Sequence, residues 1–266
     1  MAINRVTFGL DRFSFYPLMK KWRIGDAVLI PVVPNEHNIF YSLAIPIIVI
    51  LALTATIGHP KHKLYLGYIS VLGLLVSFFV NGLVTDALKN WIGRHRPDFI
   101  SRCIPKEGTP LNTLVFAKDV CTTTNLEKLA DGFRTTPSGH SSTAFSGLGY
   151  LTLWLYGQFL TEHPLTGSWR KVLASVPAFG AILIALSRTE DYRHHFIDVI
   201  LGSIIGITIA YWSYRRNFPE LTSLTPFKPH LDDSDAGAEE IKILKADRGE
   251  DANSHLLQTH DLETNN

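Results

Sequence analysis

At 266 residues, 46% of them hydrophobic, and with a formal net charge of +1, the chain has the size of one soluble domain, yet its apolar residues lie in long blocks between polar punctuation. The near-zero charge gives no electrostatic support for a nucleic-acid partner. Two cysteines, Cys103 and Cys121, exclude a disulfide-dense scaffold and a four-cysteine zinc site.

In chain order, the N-terminal segment 1–38 opens with polar and charged residues (Asn4, Arg5, Asp11, Arg12), so a cleaved signal peptide is not expected. Its apolar run Ala27–Val33 is too short to cross a bilayer and is interrupted by Pro31, with Pro34 just beyond. A shortened or re-entrant first span and a gene model lacking part of one both fit. Five longer stretches follow, each approaching or exceeding the ~20 residues a spanning helix needs: Ile39–Gly58, Leu64–Leu88, Ser142–Leu160, Val172–Ser187 and Phe196–Tyr214. Ile45–Leu53 and Val71–Val80 show almost no polar stripe, which argues against buried helices of a soluble core. The predicted fold is therefore an all-α polytopic membrane bundle over residues 39–216. Residues 217–266 are proline-punctuated, then acidic and poor in aromatics, and read as a disordered cytosolic tail.

Sidedness follows from flanking cations. Lys61, Lys63, Arg170, Lys171, Arg215 and Arg216 belong together on the cytosolic face. That puts the long segment Lys89–Ser141 and the short connector Arg188–His195 on the opposite face, although Lys20, Lys21 and Arg23 favour a cytosolic N-terminus. Both non-cytosolic segments are rich in Lys, Arg and His, against the usual bias, and such a cluster wants an anionic partner.

Three clusters carry the chemistry. At the end of the second span, Lys89 and Arg96 are seven residues apart, about two helical turns, and are predicted to share a face; Pro97 ends the helix at Arg96. Alone, this is an ordinary membrane-edge anchor. Arg nevertheless suits bidentate phosphate recognition, and Lys adds a point charge. Before the third span, Thr136 reads as an N-cap with Pro137 at the first helical position. The N–H groups of Ser138, Gly139 and His140 then form an anion site, although an ordinary cap with an incidental histidine fits as well. Opening the fifth span, His194 and Asp198 are four apart and predicted to share a helix face. The carboxylate would accept the imidazole Nδ1–H and free Nε2 as nucleophile. Asp198 lies inside an apolar run, where an ionisable residue is functional by default; the pair Asp191 and His195 has the same spacing but a carboxylate outside the span.

Concentrated positive charge from Lys89, Arg94, Arg96, Arg134, Arg188 and Arg193 disfavours a divalent metal, and carboxylates suited to magnesium are scarce there. No metal and no cofactor are expected. Asp232–Asp235 reads as a solvated charge run.

Together the clusters K-x6-RP, PSGH and SR-x5-H-x3-D resemble the signature of the type 2 phosphatidic acid phosphatase superfamily. The segments NWIGRHRPDF, AKDVCTTTN, DGFRTTPSGHSS and SRTEDYRHHFIDVILGS are similar to those of the fungal diacylglycerol pyrophosphate phosphatases within it, and the likeness covers roughly 39–235. The family's usual six spans imply a reduced or missing first one here. The resemblance implies that His194 attacks phosphorus, Asp198 orients it and His140 protonates the leaving oxygen. Lys89, Arg96, Ser138, Gly139 and Arg188 would hold the phosphate. It implies a metal-independent lipid phosphatase in the endomembrane or vacuolar system, its site on the non-cytosolic face. Diacylglycerol pyrophosphate, phosphatidate and lysophosphatidate would be drawn from the membrane, with no required protein partner. Other readings are a phosphatase for sphingoid-base or isoprenoid phosphates and a catalytically silent scaffold; vanadate-dependent haloperoxidase chemistry is disfavoured by the apolar spans. The linking segment Asp98–Arg134 is long enough for a functional lid. Cys103 and Cys121 both fall in it, where a bridge worth roughly 3 kcal/mol and a pair of free thiols are both open.

Overall fold

The structure, a computed structural model, describes residues 5–7, 33–58, 62–109, 114–163, 166–191, 193–232 and 242. It is a helical bundle. Strand β1 (Arg5–Thr7) pairs antiparallel with β2 (Leu114–Phe116). The first span is α1 (Asn35–Ile39), a π-helical turn Phe40–Ala44, and α2 (Ile45–Ile57). Pro46 explains the π turn: without an N–H it cannot bond the Ser42 carbonyl four residues back. That carbonyl instead faces Gly147, where a Cβ would clash with it. There follow α3 (Lys63–Ile92), α4 (Phe99–Cys103), α5 (Ala117–Val120), α6 (Leu126–Asp131), α7 (Gly139–Gln158), α8 (Ser168–Glu190) and α9 (Phe196–Asn217).

Among the described residues, four helical stretches are long and apolar enough to cross a membrane: Asn35–Thr56, Lys63–Ile92, Ser168–Glu190 and Phe196–Asn217. Their outward faces carry Ile48, Phe79, Leu83, Phe179 and Ile204, a surface that suits lipid rather than water. The remaining expected span is α7, of spanning length but rich in Ser, Thr and Gly. It sits at the centre of the bundle, packed against α3, α8, α9 and the first span. A helix shielded from lipid by its neighbours need not be apolar all round, so hydropathy understates it. The chain is an all-α multi-pass membrane protein. Residues 27–32, most of the run read as a reduced span, lie outside the described residues.

Buried small and polar side chains run down α3 toward α7. Trp154 Nε1 donates to Ser70 Oγ at 2.8 Å, Ser77 Oγ to the Ser146 carbonyl at 2.9 Å, and Asn81 Nδ2 to Ser142 Oγ at 3.3 Å, with Thr85 Oγ1 3.0 Å from the same hydroxyl. Such bonds associate helices where lipid removes the hydrophobic drive. On α9, Gly202 and Gly206 face the backbone carbonyls of Ser138 and Ser142, leaving no room for a Cβ. This close approach clamps the start of α9 against the start of α7.

Residues 218–232 correct the expectation of a disordered tail. Phe218 is fully buried and stacks on Tyr214 at 5.3 Å. Gln158 Nε2 donates to the Phe227 carbonyl at 3.0 Å, the His230 N–H to the Asn217 carbonyl at 3.0 Å, and His62 pairs with Asp232. A stretch whose prolines read as loop punctuation instead folds back over the bundle end, with Phe218 buried there. The rest of the acidic tail, Lys242 excepted, lies outside the described residues.

Candidate active site

The three clusters converge at one end of the bundle. The α3 helix stops at Gly93, short of the end expected at Arg96; the Gly93 φ of 60° is left-handed, a conformation glycine adopts at no steric cost. Lys89 therefore lies in the last turn of α3, and Arg96 lies beyond the helix. The expected two-turn helical register between them does not hold. They still meet: both charges act on His194, and Lys89 Nζ lies 2.6 Å from where a Gly139 Cβ would be. Glycine at that position leaves the ammonium room beside the N-terminus of α7.

Arg96 is buried and gripped by Asp131. Nε donates to the Asp131 carbonyl at 2.9 Å and Nη2 to its Oδ1 at 2.8 Å, while the Arg96 N–H donates to the Gly132 carbonyl at 2.7 Å. Arg102 holds the other oxygen of Asp131 at 2.9 Å and pairs with Asp98. With Nε and one Nη2 proton committed to Asp131, the other three of the five guanidinium N–H donors are left for an anion. Sequence spacing offered no signal for Asp131, because the contact closes a loop of 35 residues.

The described residues of segment 98–134 pack around a small core of their own. Phe99, Cys103, Ala117 and Phe133 form its core, and Cys103 is disulfide-bonded to Cys121. Through β2 it also carries β1, so residues 5–7 lie on the side of the bundle where the three clusters converge.

The N-cap of α7 is Ser138, two residues later than expected. The Ser138 Oγ accepts from Ser141 Oγ at 3.0 Å and from the Ser141 N–H at 3.5 Å. Thr136 instead turns its hydroxyl to Asp198, donating to Oδ1 at 2.6 Å. The Ser138 N–H is also engaged, by the Asp198 carbonyl at 2.9 Å. Of the three N–H groups expected to bind an anion, those of Gly139 and His140 remain in the first turn, where helix geometry supplies no intrahelical partner. His140 Nε2 is buried with no hydrogen-bond partner among the described residues, and the charges of Arg188, Lys89 and Arg193 reach it. Arg188, 1% exposed, ends α8; Nη2 is 2.8 Å from Asp191 and both Nε and Nη2 donate to Ser187 Oγ. Asp191 is thereby committed to Arg188 rather than to His195.

The expected bond between His194 and Asp198 is absent. His194 Nδ1 lies 2.8 Å from the Thr135 carbonyl. A carbonyl only accepts, so Nδ1 carries the proton and Nε2 keeps its lone pair. Asp198, fully buried, instead accepts from the Thr135 hydroxyl at 2.8 Å, the Thr136 hydroxyl at 2.6 Å and the His195 N–H at 2.8 Å; His195 Nδ1 is 3.2 Å and Arg94 Nη1 3.4 Å away. The physical reason is local. Helix α9 begins at Phe196 with His195 as N-cap, and His195 and Asp198 form a capping box. His194 stands outside the helix, so the four-residue helical spacing never applied to it. Burial, together with the charges of Arg96 and Lys89, holds its imidazole well below the usual histidine range, and it is neutral at physiological pH.

The geometry gives a buried neutral imidazole with a free Nε2 and a second histidine beside it; Lys89 acts on both, Arg96 on His194, and Arg188 and Arg193 on His140. Among the described residues no group of three or more His, Cys, Asp or Glu side chains is placed to hold a metal ion.

The PAP2 superfamily pattern matches residues 70–220, which include all three clusters. The chain belongs to the PAP2 superfamily. Diacylglycerol pyrophosphate phosphatase 1 of Saccharomyces cerevisiae is 55% identical to it over 207 residues, covering 77% of this chain and 72% of that protein. The probable diacylglycerol pyrophosphate phosphatase 1 of Schizosaccharomyces pombe is 44% identical over 164 residues, 62% of this chain and 59% of the relative. Lipid phosphate phosphatase 2 of Arabidopsis thaliana is 33% identical over 200 residues, covering 74% and 68%. Within this PAP2 chain, sequence reasoning missed Thr135 and Asp131 as partners of the motif residues, and named Arg193 only as one of several cations. A threonine two residues before a proline carries no signal of its own for such a role.

Proposed function

We propose that this PAP2-superfamily enzyme, a lipid phosphatase of the membrane, hydrolyses diacylglycerol pyrophosphate, phosphatidate and lysophosphatidate through a phosphohistidine at His194. The observation that carries the reading is the bond from His194 Nδ1–H to the Thr135 carbonyl, which leaves Nε2 as a neutral nucleophile amid fixed cations. The Nε2 lone pair forms the N–P bond as the bond from phosphorus to the lipid oxygen, or to the bridging oxygen of a pyrophosphate, breaks. His140 gives its proton to that oxygen. It then takes a proton from water as water displaces phosphate from His194. Lys89, Arg96, Arg188 and the N-terminus of α7 hold the phosphoryl oxygens, a kind of contribution worth about 2.7–4 kcal/mol per donor, and supply the charge a divalent ion would otherwise bring. Asp198 supports His194 through Thr135.

The substrate is a phospholipid already in the membrane, reaching the site laterally because the clusters stand at the ends of spans. The non-cytosolic face of an endomembrane compartment, vacuolar among them, is supported by the disulfide on the catalytic side, a bond that persists in oxidising compartments. It is supported also by Lys171, Arg215 and Arg216 at the opposite end.

Purified protein assayed on these lipids in excess EDTA should release phosphate at the uninhibited rate and, with 32P-labelled substrate, form an acid-labile phosphoenzyme. His194→Ala should do neither. Activity abolished by the chelator would defeat the metal-free reading, and phosphate release by His194→Ala would defeat the assignment of the nucleophile.

A further inference from the structure

We propose that Thr135 is the positioning residue of the nucleophile, gripping His194 at Nδ1 with both its carbonyl and its hydroxyl and linking it to Asp198. The inference rests on the phosphohistidine reading above and adds to it the group that orients the imidazole. The geometry assigns every proton on this path. Ionised Asp198 only accepts, so the Thr135 hydroxyl, 2.8 Å from Oδ2, donates its single proton there. Its oxygen lies 3.2 Å from His194 Nδ1 and so faces that nitrogen with a lone pair. The Nδ1 proton is shared between this oxygen and the Thr135 carbonyl at 2.8 Å. A contact from the same hydroxyl to the Arg193 carbonyl, at 3.5 Å, is too long to compete with the bond to the carboxylate.

Thr135 and Asp198 are both fully buried, which shields this path from water and strengthens its electrostatics. When Nε2 bonds to phosphorus the ring becomes cationic, and the carboxylate acts on it through a polarised hydroxyl. Thr136 provides an internal contrast. Its hydroxyl donates to the other oxygen of Asp198, so the two threonines anchor the carboxylate alike, while only Thr135 touches the nucleophile.

The test compares Thr135→Val, Thr135→Ser and Thr136→Val in purified protein, each checked for folding by thermal melting. Kinetics and 32P-phosphoenzyme formation are then followed on phosphatidate. Thr135→Val keeps the carbonyl and loses the hydroxyl, so kcat should fall about tenfold, the effect of one hydrogen bond, with KM unchanged. Thr135→Ser should recover most of the loss, and Thr136→Val should lose clearly less kcat than Thr135→Val. If valine unsettles the packing, Thr135→Ala takes its place. A wild-type kcat in Thr135→Val, a serine variant as impaired as the valine one, or equal losses at 135 and 136 would each overturn the proposal. A wild-type enzyme that turns over without any phosphoenzyme would defeat the histidine-nucleophile reading itself, which is a distinguishable result.

Discussion

At the catalytic end of the bundle, buried carboxylate, imidazole, hydroxyl and guanidinium groups partner one another. At the far end, where α9 runs into residues 218–232, aromatic faces do the packing: Tyr214 on Phe218, with Tyr150 and Trp154 in the same apolar cluster. The difference concerns what each region is organised for. An apolar cluster gains from every square ångström it removes from water. A buried charge gains little net stability and is costly when its partner is removed. The end that carries the proposed active site holds Asp198, Arg188 and Asp191 in this second manner, which fixes the orientation of the groups proposed to meet substrate.

The comparison breaks if changes at the two ends have the same consequences. The largest separation is expected for Asp198→Asn, which removes the negative charge and leaves similar shape. Its kcat should fall by about 10²–10⁴-fold, the range seen when an orienting carboxylate or an acid–base group is lost, while purified protein still melts cooperatively. Phe218→Ala should behave in the opposite way. It should lower unfolding stability by about 3 kcal/mol, as for a buried aromatic truncated to a methyl group, with kcat per folded molecule unchanged. Loss of kcat without loss of stability in Phe218→Ala would join the two ends functionally and end the distinction. The smallest effect belongs to Asp131→Asn. Asp131 is 45% exposed on its side chain, so its hold on Arg96 is screened; KM should rise roughly two- to fivefold, with kcat changed less. An unchanged KM would show that Arg96 keeps its place without Asp131.

The near end also shows where legibility from sequence stopped. The spans were legible because long apolar blocks have no other use, and α7 was found despite its serines and glycines. Lys89, His140, Arg188 and His194 were legible because the motif residues come close together whatever their local conformation. The partners were not. The helical spacing that tied His194 to Asp198 describes residues inside a helix, and His194 lies before the cap. The two-turn register between Lys89 and Arg96 failed for the same reason at Gly93.

The sequence by itself determined the bundle, the three clusters and the family, since hydropathy and fixed motifs are carried by the order of residues alone. Tertiary structure decided which groups bond: Thr135 to His194 across 59 residues, Arg96 to Asp131 across 35, and the cysteines across 18. It also decided that residues 218–232 pack against the bundle end. Such contacts depend on where a helix stops and which hydroxyl is already committed, quantities set by competition among neighbours in space rather than by spacing along the chain.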